Sequence, residues 1–367
     1  MIGFMPLRAI CLFCIVTGAG FAQVENDVVY RQTFQDDTGS WTALGDSASV
    51  SRATDSHGLV FSYELAPKIF SGVVSPAPAD FVKMQRIRFR VKTDHATAMG
   101  VLLSEKKPAG GNYSAWFWSP ANTWQWIELT PADFSLNDGP DDAKDPDGKL
   151  DLDEVEAVGL FDLGQFFAQV EGNSRLPLTV HLDKGRHTAT VESFEVLSSP
   201  AAPLTKPANA LRLGMLDRNF TDWVTLGGMD LKLDSGSNPL HAPALEANYK
   251  QASGQFQLLL RRVTGTEMGQ AKRLVFDIAS ERDVTLMVSL EMHRPGGGQG
   301  PRFTLPIYPP GGKEVFHVSL DLADFQGDGK FDPAHWRSLA IVDITAAGGG
   351  DAEANTIWIG NVAALKE

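Results

Sequence analysis

Half of the chain's eight tryptophans fall in one short segment, Tyr113 to Leu129, which reads YSAWFWSPANTWQWIEL and holds Trp116, Trp118, Trp124 and Trp126. Flat rings with a polar N–H can cover the C–H side of a sugar ring while its hydroxyls turn to hydrogen-bonding neighbours. Asn112, Tyr113, Asn122 and Glu128 supply such neighbours, and Gln125 is the weakest of them. A second chemistry is written in DDAKDPDGKLDLDE, Asp141 to Glu154, where carboxylates alternate around a glycine as in loops that wrap calcium with oxygen. Taking Gly148 as the sixth loop position puts Asp145, Asp147, Asp151 and Glu154 at the third, fifth, ninth and twelfth, with Ala143 at the first where an EF-hand has Asp. The candidate is therefore an irregular structural calcium site, and its alternative is a solvated acidic turn built from the same residue types.

Other chemistries lack their residues. The chain has no Gly-x-Ser-x-Gly elbow, no His-Glu-x-x-His, no Walker loop and no dinucleotide fingerprint. Asp151, Asp153 and Glu156 resemble the carboxylate strand of some jelly-roll hydrolases only loosely, and read as charge on a loop. His57, His95, His181, His187, His241, His293, His317 and His335 are scattered without ligand spacing and read as surface or core histidines. A net charge of −13 repels phosphate backbones and excludes nucleic acid as a partner. With 43% hydrophobic and 21% charged residues, the chain is globular, neither disordered nor a multi-span membrane protein. The reading is of a noncatalytic protein.

The elements that must position the tryptophans are strands. Ser119 to Thr123 contains Pro and Asn and reads as a hairpin loop, which sets Trp118 opposite Trp124 and Trp116 opposite Trp126. Alternation then puts all four rings on one face and Phe117, Ile127 and Leu129 on the other. Three roles are open to that face: a glycan platform, a docking surface for a second protein or another domain, or core filling if the register is off by one residue.

The chain repeats its plan. The Pro- and Ala-rich stretch 198–210 reads as a linker, dividing a first domain at 23–197 from a second at 211–367. RIRFRVKT (Arg86 to Thr93) has its counterpart in RLVFDIAS (Arg273 to Ser280), both alternating with period two. WIELTPADF (Trp126 to Phe134) matches FHVSLDLADF (Phe316 to Phe325), and VEAVGLFDL (Val155 to Leu163) matches WRSLAIVDI (Trp336 to Ile344). In this register Leu129 and Ile127 fall on Leu320 and Val318, while Trp126 falls on His317, so the tryptophan face is the more polar one in the second half. Strand-length runs bounded by Gly, Pro, Asp and Asn, without a long amphipathic helix, predict an all-β fold of two tandem sandwiches.

The phrase Trp-x-x-Leu-Thr-x-x-x-Phe at Trp126 to Phe134, the Asp-Gly turn, and Gly-x-Phe-Asp at Gly159 to Asp162 resemble the galactose-binding-like β-jelly-roll superfamily, in particular carbohydrate-binding modules and complex I intermediate-associated type domains. The resemblance implies two jelly rolls, a polysaccharide or glycan as partner, and the structural calcium such modules often hold.

Residues 1–22 carry Arg8, an apolar run from Ala9 to Val16 and small residues ending at Ala22, the layout of a signal peptide. Both cysteines, Cys11 and Cys14, lie inside it, so the mature chain is expected to hold no disulfide or thiolate metal site. A secreted or periplasmic protein, or one at a bacterial cell surface, is the expectation.

Overall fold

The computed structural model describes residues 27–54, 58–108, 110–137, 139, 142, 145–168, 182–202, 208–211, 218–226, 228–264, 266–293, 299–348 and 353–367. The expected leader at 1–22, loop position Ala143, His57, His181 and the middle of the expected linker lie outside them.

The first half contributes β1 (Val28–Gln32), β2 (Thr42–Leu44), β3 (Ser49–Arg52), β4 (Leu59–Leu65), β5 (Gly72–Pro76), β6 (Arg86–Thr93), β7 (Thr97–Glu105), β8 (Asn112–Ser119), β9 (Gln125–Leu129), β10 (Ser135–Leu136), β11 (Val155–Asp162) and β12 (Gly185–Leu197). The second contributes β13 (Ala210–Leu211), β14 (Val224–Thr225), β15 (Met229–Asp234), β16 (Ala244–Gln251), β17 (Gln257–Arg262), β18 (Arg273–Ser280), β19 (Leu286–His293), β20 (Gln299–Ile307), β21 (Phe316–Asp321), β22 (Gln326–Gly327), β23 (Trp336–Asp343) and β24 (Glu353–Leu365). One sheet of the first half runs β3-β4-β12-β6-β9 with β1 beside β12, and the other runs β10-β8-β7-β11-β5-β2. Adding twelve to every label gives the two sheets of the second half. The halves are two copies of one antiparallel jelly-roll sandwich, as the repeated sequence plan predicts.

Alternation builds each core. Ile87, Phe89 and Val91 on β6 are fully buried, and so are Ile127 and Leu129 on β9, which pair with Phe89 and Ile87. Burying each such side chain contributes about 1.5–3 kcal/mol. The intervening Arg86, Arg88, Arg90 and Lys92 are half-exposed on the outer face. In the second half Leu274 pairs with Leu320 and Phe276 with Val318, the register read from sequence.

The expected hairpin does not form. β8 pairs with β7, whereas β9 pairs with β6, so the two tryptophan strands lie in opposite sheets. The connection is tied to the turn after β6: Asn122 N–H donates to Thr93 O at 2.7 Å, Asn122 Nδ2 donates to Asp94 O at 3.2 Å, and Ala121 bridges Thr93. Asn122 adopts a φ of 54°, a left-handed conformation that asparagine tolerates. A loop of this length serves a hairpin or a sheet-to-sheet crossing equally well, and the backbone partners decide.

The two sandwiches share apolar surface. Ala98, Trp118, Phe161 and Leu163 of the first half belong to one cluster with the core of the second. Gly100 makes room there, since a Cβ on it would stand 2.4 Å from Phe161 Cζ.

Candidate functional site

All four tryptophans point out of the first sandwich, as alternation requires, but they divide between its two outer faces. On β8 the inward positions are Tyr113, Ala115 and Phe117, and the outward ones are Asn112, Ser114, Trp116 and Trp118. Trp118 is only 3% exposed because the second half covers it, and its backbone N–H donates to Thr221 O at 2.9 Å. Trp116 lies under the guanidinium of Arg262, whose Cζ is 4.9 Å from the ring centroid. Arg262 also donates to Ser114 Oγ at 2.7 Å, Asn137 Oδ1 at 3.1 Å and Leu136 O at 2.7 Å, and Arg218 pairs with Asp133 at 3.0 Å. This pair of rings is the seam between the sandwiches.

Three further expectations need correction. Tyr113 is inside the core, with its hydroxyl donating to Asp145, because its position on β8 has inward parity. Asn112 accepts from Ser104 Oγ at 2.8 Å and lies on the seam side of the sandwich. Asn122 shapes the crossing loop.

The other pair forms an open face. Trp126 and Glu128 project outward from edge strand β9, Trp124 stands just before it, and β6 and β12 continue the surface. Trp126 is 41% exposed, a large apolar ring left in water. Arg88 lies over Trp126 at 5.6 Å, and Arg90 and Lys92 each lie over Trp124 at 5.1 Å. Such cation–ring contacts are worth about 0.5–1 kcal/mol at exposed sites and hold the rings in place. The cations are themselves anchored: Arg86 to Glu128 at 3.1 Å, Arg88 to Glu195 at 2.5 Å, and Arg90 to Glu192 at 2.7 Å. Two clefts flank the rings. One of about 440 Å³ has Trp126, Arg88, Glu128 and Thr130 on one side and Arg218 and Asn219 on the other. The second, about 360 Å³, is lined by Trp124, Lys92, Thr190, Ser51 and Arg52. At the Trp126 position the second half has His317, hydrogen-bonded to Asp277 at 2.5 Å.

Arg86, Arg88, Arg90 and Lys92 were not among the expected site residues. Their signal was present, because in RIRFRVKT every residue alternating with the buried Ile, Phe and Val carries a cation.

Among the described residues, the acidic turn does not gather a carboxylate shell for calcium. No three of Asp145, Asp147, Asp151 and Glu154 bring ligand oxygens within 4.8 Å of one another. Asp145 accepts from Tyr113 and from Asp147 N–H at 3.2 Å, and Asp147 accepts from Lys149 N–H at 3.0 Å, so these oxygens cap turns. The residues as placed do not fit the ion.

A cluster that sequence spacing hides does form. His95 and His187 stack with ring centroids 3.7 Å apart, both buried. The Nδ1 atoms of both face Asp94 Oδ1, at 2.9 and 3.3 Å. Burial opposes charge on both groups but is outweighed, on Asp94 by the hydrogen bond from His95 with the charges of His187 and His95, and on His95 by the hydrogen bond and charge of Asp162 followed by those of Asp94. The Asp94 carboxyl is held below, and the His95 imidazole above, its ordinary range. Residues 95 and 187 meet because β12 lies beside both β6 and β4, a neighbourhood that no local spacing reports.

No protein-family model matches the chain, and no curated protein matches it. Solved structures similar to it include carbohydrate-binding modules and an exo-β-agarase. The family 11 module of a cellulosomal cellulase of Clostridium thermocellum is 12% identical over 44% of this chain and 96% of that one, with a TM-score of 0.35. The same family's module in complex with a β-1,3-1,4-mixed-linked tetrasaccharide is 13% identical over 43% of this chain and 94% of that one, with a TM-score of 0.34. The N-terminal CBM22-1–CBM22-2 tandem domain of Paenibacillus barcinonensis Xyn10C is 11% identical over 92% of this chain and 97% of that one, with a TM-score of 0.32.

Proposed function

We propose that the first sandwich binds a carbohydrate chain along the outer face of β9, β6 and β12, with Trp126 and Trp124 as the surfaces on which sugar rings rest. The observation that carries this reading is Trp126 itself: a ring 41% exposed, on a face that it shares with Trp124 among charged and hydroxylated side chains, beside a cleft of about 440 Å³. Separate apolar rings spaced among polar side chains suit a ligand with one C–H side and a polar rim. A protein partner would instead favour a contiguous apolar patch. Arg88, Arg90, Lys92 and Glu128 supply donors and acceptors on either side of the rings.

The role is binding without turnover, in an exported protein whose leader is the segment 1–22. The test is retardation of the purified chain in gels containing soluble polysaccharides, beside Trp126→Ala. Retardation by at least one polymer, lost in the variant, supports the reading. Unchanged retardation in Trp126→Ala, or release of reducing ends on incubation, overturns the corresponding part of it.

A further inference from the structure

Each sandwich buries one carboxylate against a tyrosine at the same place in the fold. Tyr63 donates to Asp162 at 2.6 Å in the first, and Tyr249 donates to Asp343 at 2.5 Å in the second. Strand register makes the surroundings comparable residue by residue. His187 faces Tyr63 across β12 and β4, and Asn355 faces Tyr249 across β24 and β16. Thr93 ends β6 beside Ala189 as Ser280 ends β18 beside Ile357, so His95 corresponds to Arg282, two residues further on.

The second half settles its site with neutral and permanently charged groups. Asn355 donates to Tyr249 Oη at 3.0 Å and to Ser280 Oγ at 3.1 Å, and Arg282 pairs with Glu353. The first half has two imidazoles at the corresponding positions, with Asp94 where the second half has Glu281, which pairs with Lys313. Asp162 already accepts from Tyr63, from Thr97 Oγ1 at 2.8 Å and from Gly164 N–H at 2.6 Å. His95 Nε2 is buried and faces Asp162 Oδ2 at 3.2 Å. The second nitrogen of a metal-bound imidazole commonly faces a carboxylate in this way.

We propose that Asp94, His95 and His187 form a binding site for one divalent ion of the zinc class. Each offers a ligand atom, and these atoms lie within 4.8 Å of one another. Asp94 Oδ1 stands 2.9 and 3.3 Å from the two Nδ1 atoms. The edge of a tetrahedron with metal–nitrogen bonds of about 2.0–2.1 Å is about 3.3 Å long. Two imidazoles with one carboxylate select zinc, cobalt, nickel or copper over calcium and magnesium, which prefer oxygen. A cavity of about 20 Å³, lined by His95, Thr97 and Asp183 together with Trp118 and Thr225, lies against the cluster and is of the size of one water. Imidazoles on one tetrahedral ion have centroids about 5 Å apart, so uptake parts the stack while exposed Asp94 follows. The ion would staple β12 to the turn after β6, close to the seam with the second sandwich.

The test uses the full chain stripped with a chelator and dialysed against Zn²⁺, with Ca²⁺ and Mg²⁺ as controls, followed by metal analysis. One equivalent of zinc, no retained calcium or magnesium, and cobalt absorption bands of a nitrogen-ligated ion are expected. The double variant His95→Arg and His187→Asn installs the residues of the second half and should fold while losing zinc affinity by more than about tenfold. If it does not fold, Asp94→Asn in the native histidine background reads the same loss. His317→Ala, an exposed histidine elsewhere, should leave uptake unchanged. Absence of stoichiometric zinc in the native chain, or uptake that persists in the double variant or in Asp94→Asn, overturns the proposal.

Discussion

Arg262 of the second sandwich lies 4.9 Å over the Trp116 ring of the first and donates across the seam to Ser114, Asn137 and Leu136. One guanidinium thus closes the outward face of β8 and satisfies two acceptors at the end of β10. Hydrogen bonds to a charged group are worth about 1.5–3 kcal/mol each when partly buried, though not additively. Arg262→Ala should destabilise the chain by about 3 kcal/mol and loosen the coupling between sandwiches. Calorimetry should show a single unfolding transition broadening or splitting; an unchanged endotherm would show that the seam does not depend on this residue.

Trp118 and Trp126 are chemically alike and eight positions apart, yet their truncation should have opposite consequences. Trp118 is fully packed at the seam, so Trp118→Ala should cost about 3–5 kcal/mol. Trp126 is partly exposed, and Trp126→Ala should cost no more than about 1 kcal/mol, the worth of its contact with Arg88. Carbohydrate retention should respond the other way, with loss in Trp126→Ala and preservation in any folded fraction of Trp118→Ala. Equal stability losses from the two changes would mean that the assignment of faces is wrong.

The second sandwich should carry a pH-dependent contribution from Glu246. It accepts from Lys232 at 2.8 Å, Asn248 at 3.0 Å and Trp358 at 3.1 Å. Burial works to raise its carboxyl, but these donors outweigh it and hold it below the ordinary value of 4.5. A carboxyl depressed in the folded state stabilises it above the unfolded value and ceases to do so as pH falls through the folded one. Denaturant titrations of the native chain and Glu246→Gln should therefore differ at neutral pH and converge as pH falls through the lowered range of this carboxyl. A difference that persists into strong acid would point to packing alone.

Strand positions were legible because burial imposes period two, and β6 and β18 begin and end where the alternation of Ile87, Phe89, Val91 and Leu274, Phe276, Ile278 does. The outward parity of all four tryptophans was legible for the same reason. Which sheet each strand joins was not. That depends on Asn122 and Ala121 binding the turn at Thr93, a contact spanning some thirty residues that leaves no periodic trace. The histidine cluster was hidden more deeply, since His95 and His187 meet only through the order β4-β12-β6. Comparing the repeats could have exposed it, because His187 and Asn355 hold equivalent places on the last strand of each half.

The acidic turn gives a last contrast. Asp145 receives the hydroxyl of Tyr113, which is buried, and nearby Glu105, also buried, receives Gly111 N–H at 2.9 Å and Asp151 N–H at 2.6 Å. The turn is therefore held by protein donors, and a calcium ion would have to displace them. Asp145→Ala should cost about 1–3 kcal/mol, because it orphans a buried hydroxyl. Asp147→Ala, whose carboxylate caps only the exposed Lys149 N–H, should stay within about 0.5 kcal/mol. Tyr113→Phe should make the Asp145→Ala loss largely disappear, since partner and orphan are removed together. Calcium and its chelators should both leave the thermal midpoint in place. A midpoint that falls on chelation and is restored by calcium would instead show the carboxylates closing around an ion.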